Sequence, residues 1–461
     1  MRKPPRGKGK TGSVTVLPAG RQRAAEKIAA TDLAWLRYVL DSPMVENILT
    51  ELGDTHSLIG RPRKYEDWTL TLMFLLTGHM PARRVQGSFL PEPVVWAQIE
   101  RAYAAAYPGA GPLQRPTRSA YQYFVSKHLA PKTGLVAEVM RARAVIIVGA
   151  MGLLDPLAPY SPTRPERRMT VIGDGTVFSS PITLRRGEKL TIRHQAIGAD
   201  WFTEAGDDTH PVCGMKYVSL AVRGDDLTTR RVILDVQRQP AKGEGGEMGL
   251  GLELVLRLAG HESVRIDVLA WDGAIRGIHN HTLMRHGILP VHPVRKDDQP
   301  RPLEHLTGCD CQMPHRLYSH QTAICEHTID EDGQAAYVPC RITQTRRVGR
   351  AGKYRWYQEI LLSCGRSHRL RLDMTTEHGG QHRAEWLQPL NPAAGNYKTV
   401  YGRRADIESR HRELDDALPI HGRMSHYIPA HQDLWVIANT MMENERAYAE
   451  WHAQQTQQQA A

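Results

Sequence analysis

The chain has 461 residues, of which 41% are hydrophobic and 23% are charged; these are the proportions of a globular protein too long for one hydrophobic core. No apolar run approaches the ~20 residues that a membrane helix needs, which predicts a protein without membrane spans. The net charge of +10 favours an anionic partner, and nucleic acid is the first choice.

The first segment of the chain is strongly basic. Residues 1–27 hold eight Lys and Arg residues against Glu26 alone, with several prolines and glycines between them. Such a composition predicts a disordered arm over residues 1–29. The arm would contact a nucleic-acid backbone or simply keep the chain in solution.

Residues 30–155 are predicted to form a helical domain. Apolar residues recur at helical spacing from Leu33 to Leu40, and a run rich in Leu and Met follows over 68–77. We expect this domain to bind DNA. An all-α packing domain without a binding role is the alternative.

One helix of this domain is the candidate for insertion into a DNA groove. Thr117 follows a loop rich in Pro and Gly and is placed to cap a helix over residues 118–128. A short polar and aromatic helix after a loop fits the second helix of a helix-turn-helix. Arg118 and Lys127 on this helix are its candidate DNA ligands.

After a proline-rich linker, the pattern changes to strands in residues 156–294. The predicted strands are 169–177, 215–222, 231–236, 264–271 and 288–294, and the predicted helices are 246–259 and 275–286. This order predicts an α/β fold with a mixed sheet flanked by helices.

A second region rich in strands interrupts this pattern. Residues 295–395 are rich in His, Cys, Pro and Arg and read as an inserted β-rich subdomain. The core is predicted to resume over residues 396–453, which contain two late helices. The Gln-rich residues 454–461 are predicted to be a disordered tail.

Three carboxylates stand out by their positions. Asp174 lies in the first predicted strand, Asp272 directly follows the fourth, and Glu408 lies on a late helix. The first and fourth strands are neighbours in this order, so the three acids can converge and hold Mg²⁺. Asp267 is a rival for the second position, but it lies inside its strand.

The stretch around Glu408 carries further groups suited to DNA. On a helix of ~3.6 residues per turn, Tyr401, Arg404, Glu408 and Arg412 fall on one face. The arginines suit phosphate, and the carboxylate suits a divalent cation. The alternative is a solvated helix on which Arg404 and Glu408 form a surface ion pair.

These motifs resemble the DDE transposases of the IS4-like group, which have an RNase H-like catalytic core and a β-rich insertion before the last acid. The most specific match is the spacing Tyr-x2-Arg-x3-Glu at Tyr401, Arg404 and Glu408. Two positions depart from the family pattern, because Asp415 stands where the family often has Lys and Ile275 where it often has an aromatic residue. The other matching stretches are Asp174-Gly-Thr, Cys213-Gly-Met-Lys-Tyr217, and Asp272 followed by Gly287-Ile-Leu-Pro-Val291.

The resemblance implies a reaction and a set of ligands. Asp174, Asp272 and Glu408 would bind two Mg²⁺ ions, for which Mn²⁺ could substitute. Tyr401 and Arg404 would hold phosphates of double-stranded DNA at the terminal inverted repeats of an insertion sequence. Cleavage there would free a 3′-hydroxyl for strand transfer into target DNA, which is DNA recombination.

The resemblance also implies a homodimer in the DNA complex, located in a bacterial cytoplasm at the nucleoid. Two other functions stay open. The chain could be an inactive or repurposed DNA-binding protein, which needs only the basic arm and the helical domain. It could also be a metal-dependent nuclease on the same fold without strand transfer.

The cysteines suggest a second metal site. Six cysteines are too sparse for a disulfide framework, which predicts a reducing environment. The spacing differs from paired CxxC motifs, so free thiols and surface histidines are the alternative to zinc. The candidate Zn²⁺ ligands are Cys309, Cys311, Cys325 and Cys340, with His315, His320 and His327 near them.

Overall fold

The computed structural model describes most of the chain and confirms a mixed α/β fold. The predicted basic arm over residues 1–29 lies outside the described residues. Those residues are 31–53, 64–185, 187–203, 211–226, 230–240, 245–275, 277–294, 298–309, 311–329, 333–374 and 382–460.

The first third of the described chain is helical. Thr117 caps α6 as predicted, because its hydroxyl oxygen accepts a hydrogen bond from the Ala120 N–H at 3.3 Å. The helices are α1 (31–40), α2 (Met44–Leu52), α3 (Asp67–Thr77), α4 (Ala82–Arg84), α5 (Pro93–Ala106), α6 (Arg118–Phe124) and α7 (Thr133–Ala150), with π-helical turns at Val85–Phe89 and Val125–Leu129 and a 3₁₀ turn at Ala130–Lys132.

The predicted helix-turn-helix is not found at α6. Residues 107–117 separate α5 from α6, whereas the motif joins its helices by a turn of about 3–4 residues. α6 packs on α3 instead, where the hydroxyls of Thr77 and Tyr121 are 2.9 Å apart. The polar side of α6 remains exposed, but the helix does not have the supporting geometry of that motif.

The central sheet joins both antiparallel and parallel strands. β3 pairs antiparallel with β1 on one side and with β2 and β4 on the other, and β5 and β6 continue parallel to β1. The short α8 and β2 were not predicted from the sequence. The elements are β1 (Thr170–Ser179), α8 (Ile192–Ala196), β2 (Asp200–Phe202), β3 (Val212–Val222), β4 (Val232–Arg238), α9 (Gly246–Ala259), β5 (Val268–Ala270), α10 (Gly277–Arg285) and β6 (Leu289–Val291), with a 3₁₀ turn at Arg167–Met169 before β1.

The insertion consists of two separate antiparallel sheets. The strands β10, β9, β8 and β7 lie side by side in that order in the first sheet, and β11, β12 and β13 form the second. The strands are β7 (Arg301–Leu306), β8 (His315–His320), β9 (Ala323–Ile329), β10 (Ala335–Pro339), β11 (Arg341–Val348), β12 (Arg355–Leu361) and β13 (Ser367–Arg371).

The last part of the chain is helical again. After a 3₁₀ turn at Arg383–Glu385 come α11 (Tyr397–Gly402), α12 (Ala405–Ala417) and α13 (Pro429–Ala460). The single helix predicted to carry Tyr401 and Glu408 is therefore two helices. At the junction, the Arg404 N–H donates to the Tyr401 carbonyl oxygen at 3.0 Å. This hydrogen bond joins residues three apart, as in a 3₁₀-helix, and it tightens the turn.

The predicted disordered tail is also corrected. Residues 454–460 continue α13, although the core was expected to end at residue 453. The start of α13 is already packed against the helical region and the sheet, so the costly nucleation of the helix is complete before the tail begins. Gln and Ala have good helix propensity, and each further residue extends the helix at little cost.

The N-terminal helices and the central sheet share one hydrophobic core. α13 packs against α3, α7 and β4, and it joins the two regions. Gly78 permits this packing, because a Cβ there would lie 2.4 Å from the Asn439 backbone nitrogen. The Asn439 amide donates to the Gly78 carbonyl oxygen at 2.8 Å. The helical region is thus not a unit that can be separated from the core.

The structure also addresses membrane crossing. Within the part of the chain that is described, no helix combines the length and the apolar character that would let it span a bilayer.

Candidate active site

The pairing of β1 with β5 brings two of the predicted acids together. Ile172 lies opposite Ala270 in this parallel pair, so Asp174 and Asp272 follow two residues later in the same direction. Asp267 lies at the other end of β5, where its N–H donates to the Met169 carbonyl oxygen at 3.1 Å. Asp272 rather than Asp267 is therefore the partner of Asp174.

Two glycines flank Asp174 because larger residues would collide with its surroundings. A Cβ on Gly173 would lie 1.9 Å from the ring of the buried Trp271. A Cβ on Gly175 would lie 2.5 Å from Lys216 Cε and 2.7 Å from a carboxylate oxygen of Glu247. The glycines thus let both groups approach β1 next to the acid.

A third carboxylate joins the two aspartates. One oxygen each of Asp174, Glu247 and Asp272 lies within 4.8 Å of the others. Lys216 Nζ contacts Glu247 Oε2 at 2.5 Å, and the Trp271 indole N–H donates to Glu247 Oε1 at 3.1 Å. These contacts hold Glu247 in the first turn of α9, beside the sheet.

Sequence reasoning did not identify Glu247. The available signal was weak, since Glu247 is an ordinary first-turn acid after a glycine-rich stretch. Its importance depends on the packing of α9 against β1 and β3, which the local sequence does not reveal.

Arg404 connects Asp174 to Glu408. Its Nη2 donates to Asp174 Oδ2 and its Nη1 to Glu408 Oε1, each at 2.7 Å. Glu408 therefore lies within reach of the guanidinium that holds Asp174, although its own side chain is 58% exposed. The Arg404–Glu408 contact is more than the surface ion pair considered above, because it extends to an acid in the centre of the sheet.

Burial and neighbouring charges shift the pKa values of the groups around Arg404. Burial raises the pKa of Asp174 to about 7; Arg404 opposes the rise, and the nearby Glu247 and Asp272 add to it. Burial also raises the pKa of Tyr401, again with Arg404 opposing. Among the residues that the structure describes, the buried Nε of Arg404 has no hydrogen-bond partner, so this guanidinium retains a donor that they do not use.

Contacts on the opposite side of α12 orient Glu408. Asp406 pairs with Arg167 and with Arg223, the latter at 2.9 Å, so its carboxylate is engaged by residues next to β1 and β3. The fully buried Arg410 donates to side chains of α13. Since both of these residues face the interior, Glu408 is directed away from it and Asp406 is not a competing ligand.

The predicted DNA ligands lie in different places. Tyr401 stacks on Tyr397, with ring centroids 5.8 Å apart, one turn before Arg404. Arg412 is exposed on α12, one turn after Glu408. Arg118 lines a groove of about 840 Å³ between α6 and residues 417–435, and Lys127 is exposed in the π-helical turn after α6. None of the acids lines that groove.

The predicted zinc ligands do not form one group. Cys309 and Cys311 lie with His315 and Cys364 in one cluster, in which a ligand atom of each residue is within 4.8 Å of the others. Cys325 and Cys340 are not part of this cluster, and Cys364 was missed. The Cys325 thiol donates instead to the His320 carbonyl oxygen at 3.8 Å.

The acids offer the chemistry of a divalent cation site. Oxygen ligands from several carboxylates suit Mg²⁺, and so does the surplus of negative charge that Arg404 and Lys216 only partly offset. Such a site can promote hydrolysis or transfer at a phosphodiester. The sequence matches no model of a known protein family, and no curated protein matches it either.

Proposed function

We propose that this protein is a DNA transposase of the DDE type with an RNase H-like core. It would bind the terminal inverted repeats of an insertion sequence, cut beside them and join the freed ends to target DNA. The observation that carries the proposal is the register of β1 and β5, which sets Asp174 beside Asp272, with Arg404 linking Asp174 to Glu408.

The carboxylates define where metal ions would bind. Asp174 and Asp272 would be ligands, and Glu408 would complete the set predicted from the sequence. Bound there, Mg²⁺ supplies an activated water or 3′-hydroxyl and stabilises the leaving oxygen. Glu247 is a further oxygen donor, but Lys216 and Trp271 already engage both of its oxygens.

Arg404 and Tyr401 would position the DNA. Arg404 pairs with Asp174 and Glu408 as the structure stands; once these carboxylates serve as metal ligands, its planar fork is available to a phosphate. Tyr401 is half-buried and stacked on Tyr397, which holds its ring beside that guanidinium. The pair would thus hold the cleaved strand in line with the acids.

The first test is cleavage by the full-length protein. We expect Mg²⁺-dependent cutting at the border of a duplex that carries the inverted repeats flanking the reading frame, followed by joining to a second duplex. Binding without cutting would support the DNA-binding protein instead. Cutting without joining would support the nuclease. A chain that neither binds nor cuts this duplex contradicts all three functions.

Replacing Arg404 by Ala is expected to lower single-turnover cleavage more than threefold and to spread the cut over neighbouring positions. A pair worth only ~0.5 kcal/mol on a helix surface would change the rate by about two- to threefold, so a larger loss indicates DNA positioning. The measurement is cleavage of an end-labelled terminal repeat, mapped at nucleotide resolution.

Arg369→Ala is the matched control. Arg369 is an exposed arginine of the insertion that pairs with Glu359 at 2.8 Å, and its loss should leave both the rate and the cut position unchanged. Cutting by the Arg404 variant at the normal position and within threefold of the wild-type rate would contradict the positioning role.

A further inference from the structure

The cluster of thiols in the insertion has the dimensions of a metal site. Cys309 Sγ lies 3.7 Å from Cys364 Sγ, and Cys311 Sγ lies 3.1 Å from His315 Nε2. Ligands on a tetrahedron around Zn²⁺ are roughly 3.3–3.8 Å apart, given Zn–S and Zn–N bonds of about 2.3 and 2.0 Å. The sulfur–sulfur distance falls in this range, and the sulfur–nitrogen distance is slightly below it. A disulfide needs an S–S distance of about 2.05 Å, so Cys309 and Cys364 are separate thiols.

A carboxylate fixes the histidine of this cluster. His315 is buried, and its Nδ1 lies 2.5 Å from Glu326 Oε1, which leaves Nε2 facing the thiols. Metal-bound histidines commonly donate their second ring N–H to a carboxylate, and this hydrogen bond fixes the tautomer and the orientation of the ring. Glu326 is itself held by Ser363, whose N–H donates at 2.8 Å and whose hydroxyl donates at 2.9 Å.

The four residues come from both sheets of the insertion. Cys309 and Cys311 lie in the loop between β7 and β8, and His315 begins β8. Cys364 lies in the turn between β12 and β13, next to the Ser363 that contacts Glu326. An ion bound here would tie the four-stranded sheet to the three-stranded sheet.

We propose that Cys309, Cys311, His315 and Cys364 bind one structural Zn²⁺ that joins the two sheets of the insertion, with Glu326 as the positioning residue for His315. Three sulfurs and an imidazole are soft and borderline ligands, which select zinc over the Mg²⁺ proposed for the acids of the central sheet. The site is a closed set of four protein ligands, as structural zinc sites are. It does not depend on the proposed function.

The other two insertion cysteines provide matched controls. Burial raises the pKa of the Cys325 thiol to about 11 and that of Cys340 to about 12, and neither belongs to the cluster of four ligands. They are thiols of the same subdomain outside the cluster.

The experiment measures zinc in the full-length protein purified under reducing conditions. We expect about one zinc per chain by elemental mass spectrometry, retention of that zinc in Cys325→Ser, and its loss in Cys364→Ser. A wild-type chain that holds no zinc even after reconstitution would overturn the proposal. So would loss of zinc in Cys325→Ser with full retention in Cys364→Ser.

Two further measurements serve if Cys364→Ser does not fold. Co²⁺ bound to the wild-type protein should show the intense absorption bands of thiolate coordination in a tetrahedral field; bands of an octahedral oxygen site would contradict the assignment. Glu326→Gln should bind zinc about 10- to 100-fold more weakly in competition with a chelator. Unchanged affinity would remove Glu326 from its positioning role.

Discussion

Replacing Asp174 by Asn is expected to abolish DNA cleavage, with a loss of ~1000-fold or more, while binding to the element ends is retained. The substitution keeps the size of the side chain but removes the charge that lies beside Asp272 and pairs with Arg404. Metal ions contribute several kcal/mol to charge stabilisation in the transition state, and each 1.36 kcal/mol is about tenfold in rate.

The measurements are single-turnover cleavage and end binding at one fixed salt concentration, because the backbone contribution to DNA affinity changes steeply with salt. A variant that loses binding together with cleavage would indicate a folding defect, which a thermal unfolding midpoint detects. A variant that cuts at the wild-type rate would remove Asp174 from the site.

Asp267→Asn is the control at the other end of β5. Asp267 is buried and pairs with Arg265 at 2.9 Å, so its loss should lower the unfolding midpoint. Cleavage per folded molecule should stay near the wild-type value. If Asp267→Asn abolishes cleavage in a folded protein and Asp272→Asn does not, Asp267 is the second metal ligand.

Glu408→Gln and Glu247→Gln are expected to differ by more than tenfold in cleavage, with the larger loss at Glu408. Glu408 is exposed, and its only hydrogen-bond contact among those described is with Arg404, so its charge is available to a metal ion. A loss of ~100-fold or more corresponds to about 3 kcal/mol. Glu247 already pairs with Lys216, and its replacement should cost less than tenfold.

Cleavage rates measured across a Mg²⁺ titration further distinguish the role of Glu408 from that of Glu247. Loss of a metal ligand should persist at saturating Mg²⁺ or require much more of it, whereas loss of a positioning contact should be small throughout. Both variants should retain end binding. The reverse order of effects would make Glu247 the third ligand and would leave Glu408 as the partner of Arg404 only.

The local pattern of the sequence was sufficient for the strand-borne acids. A run of β-forming residues predicted β1 around Asp174, and an apolar run ending at Asp272 predicted the strand that pairs with it. Both inferences work because short apolar runs bounded by polar residues or glycines are typical of buried strands. The helix over 246–259 was likewise predicted to the residue, since its leucines recur at helical spacing.

Contacts between distant segments could not be predicted in the same way. Glu247 enters the acidic cluster, and Cys364 the thiol cluster, only because α9 packs on the sheet and the β12–β13 turn reaches the β7–β8 loop. The same limit applies to α6, whose composition suited a helix-turn-helix although the connection before it is too long.

By itself, therefore, the sequence determined most helices and the strands around Asp174 and before Asp272, because these depend on periodicity and on residue type over short distances. The assignment of the three acids to one metal site stays a prediction. Only the tertiary structure decided that Arg404 joins Asp174 to Glu408, and which cysteines lie together. It also decided that the helical region shares its core with the sheet through α13. Each of these arrangements is stabilised by packing between segments that are far apart in sequence. Local sequence patterns contain no information about such contacts.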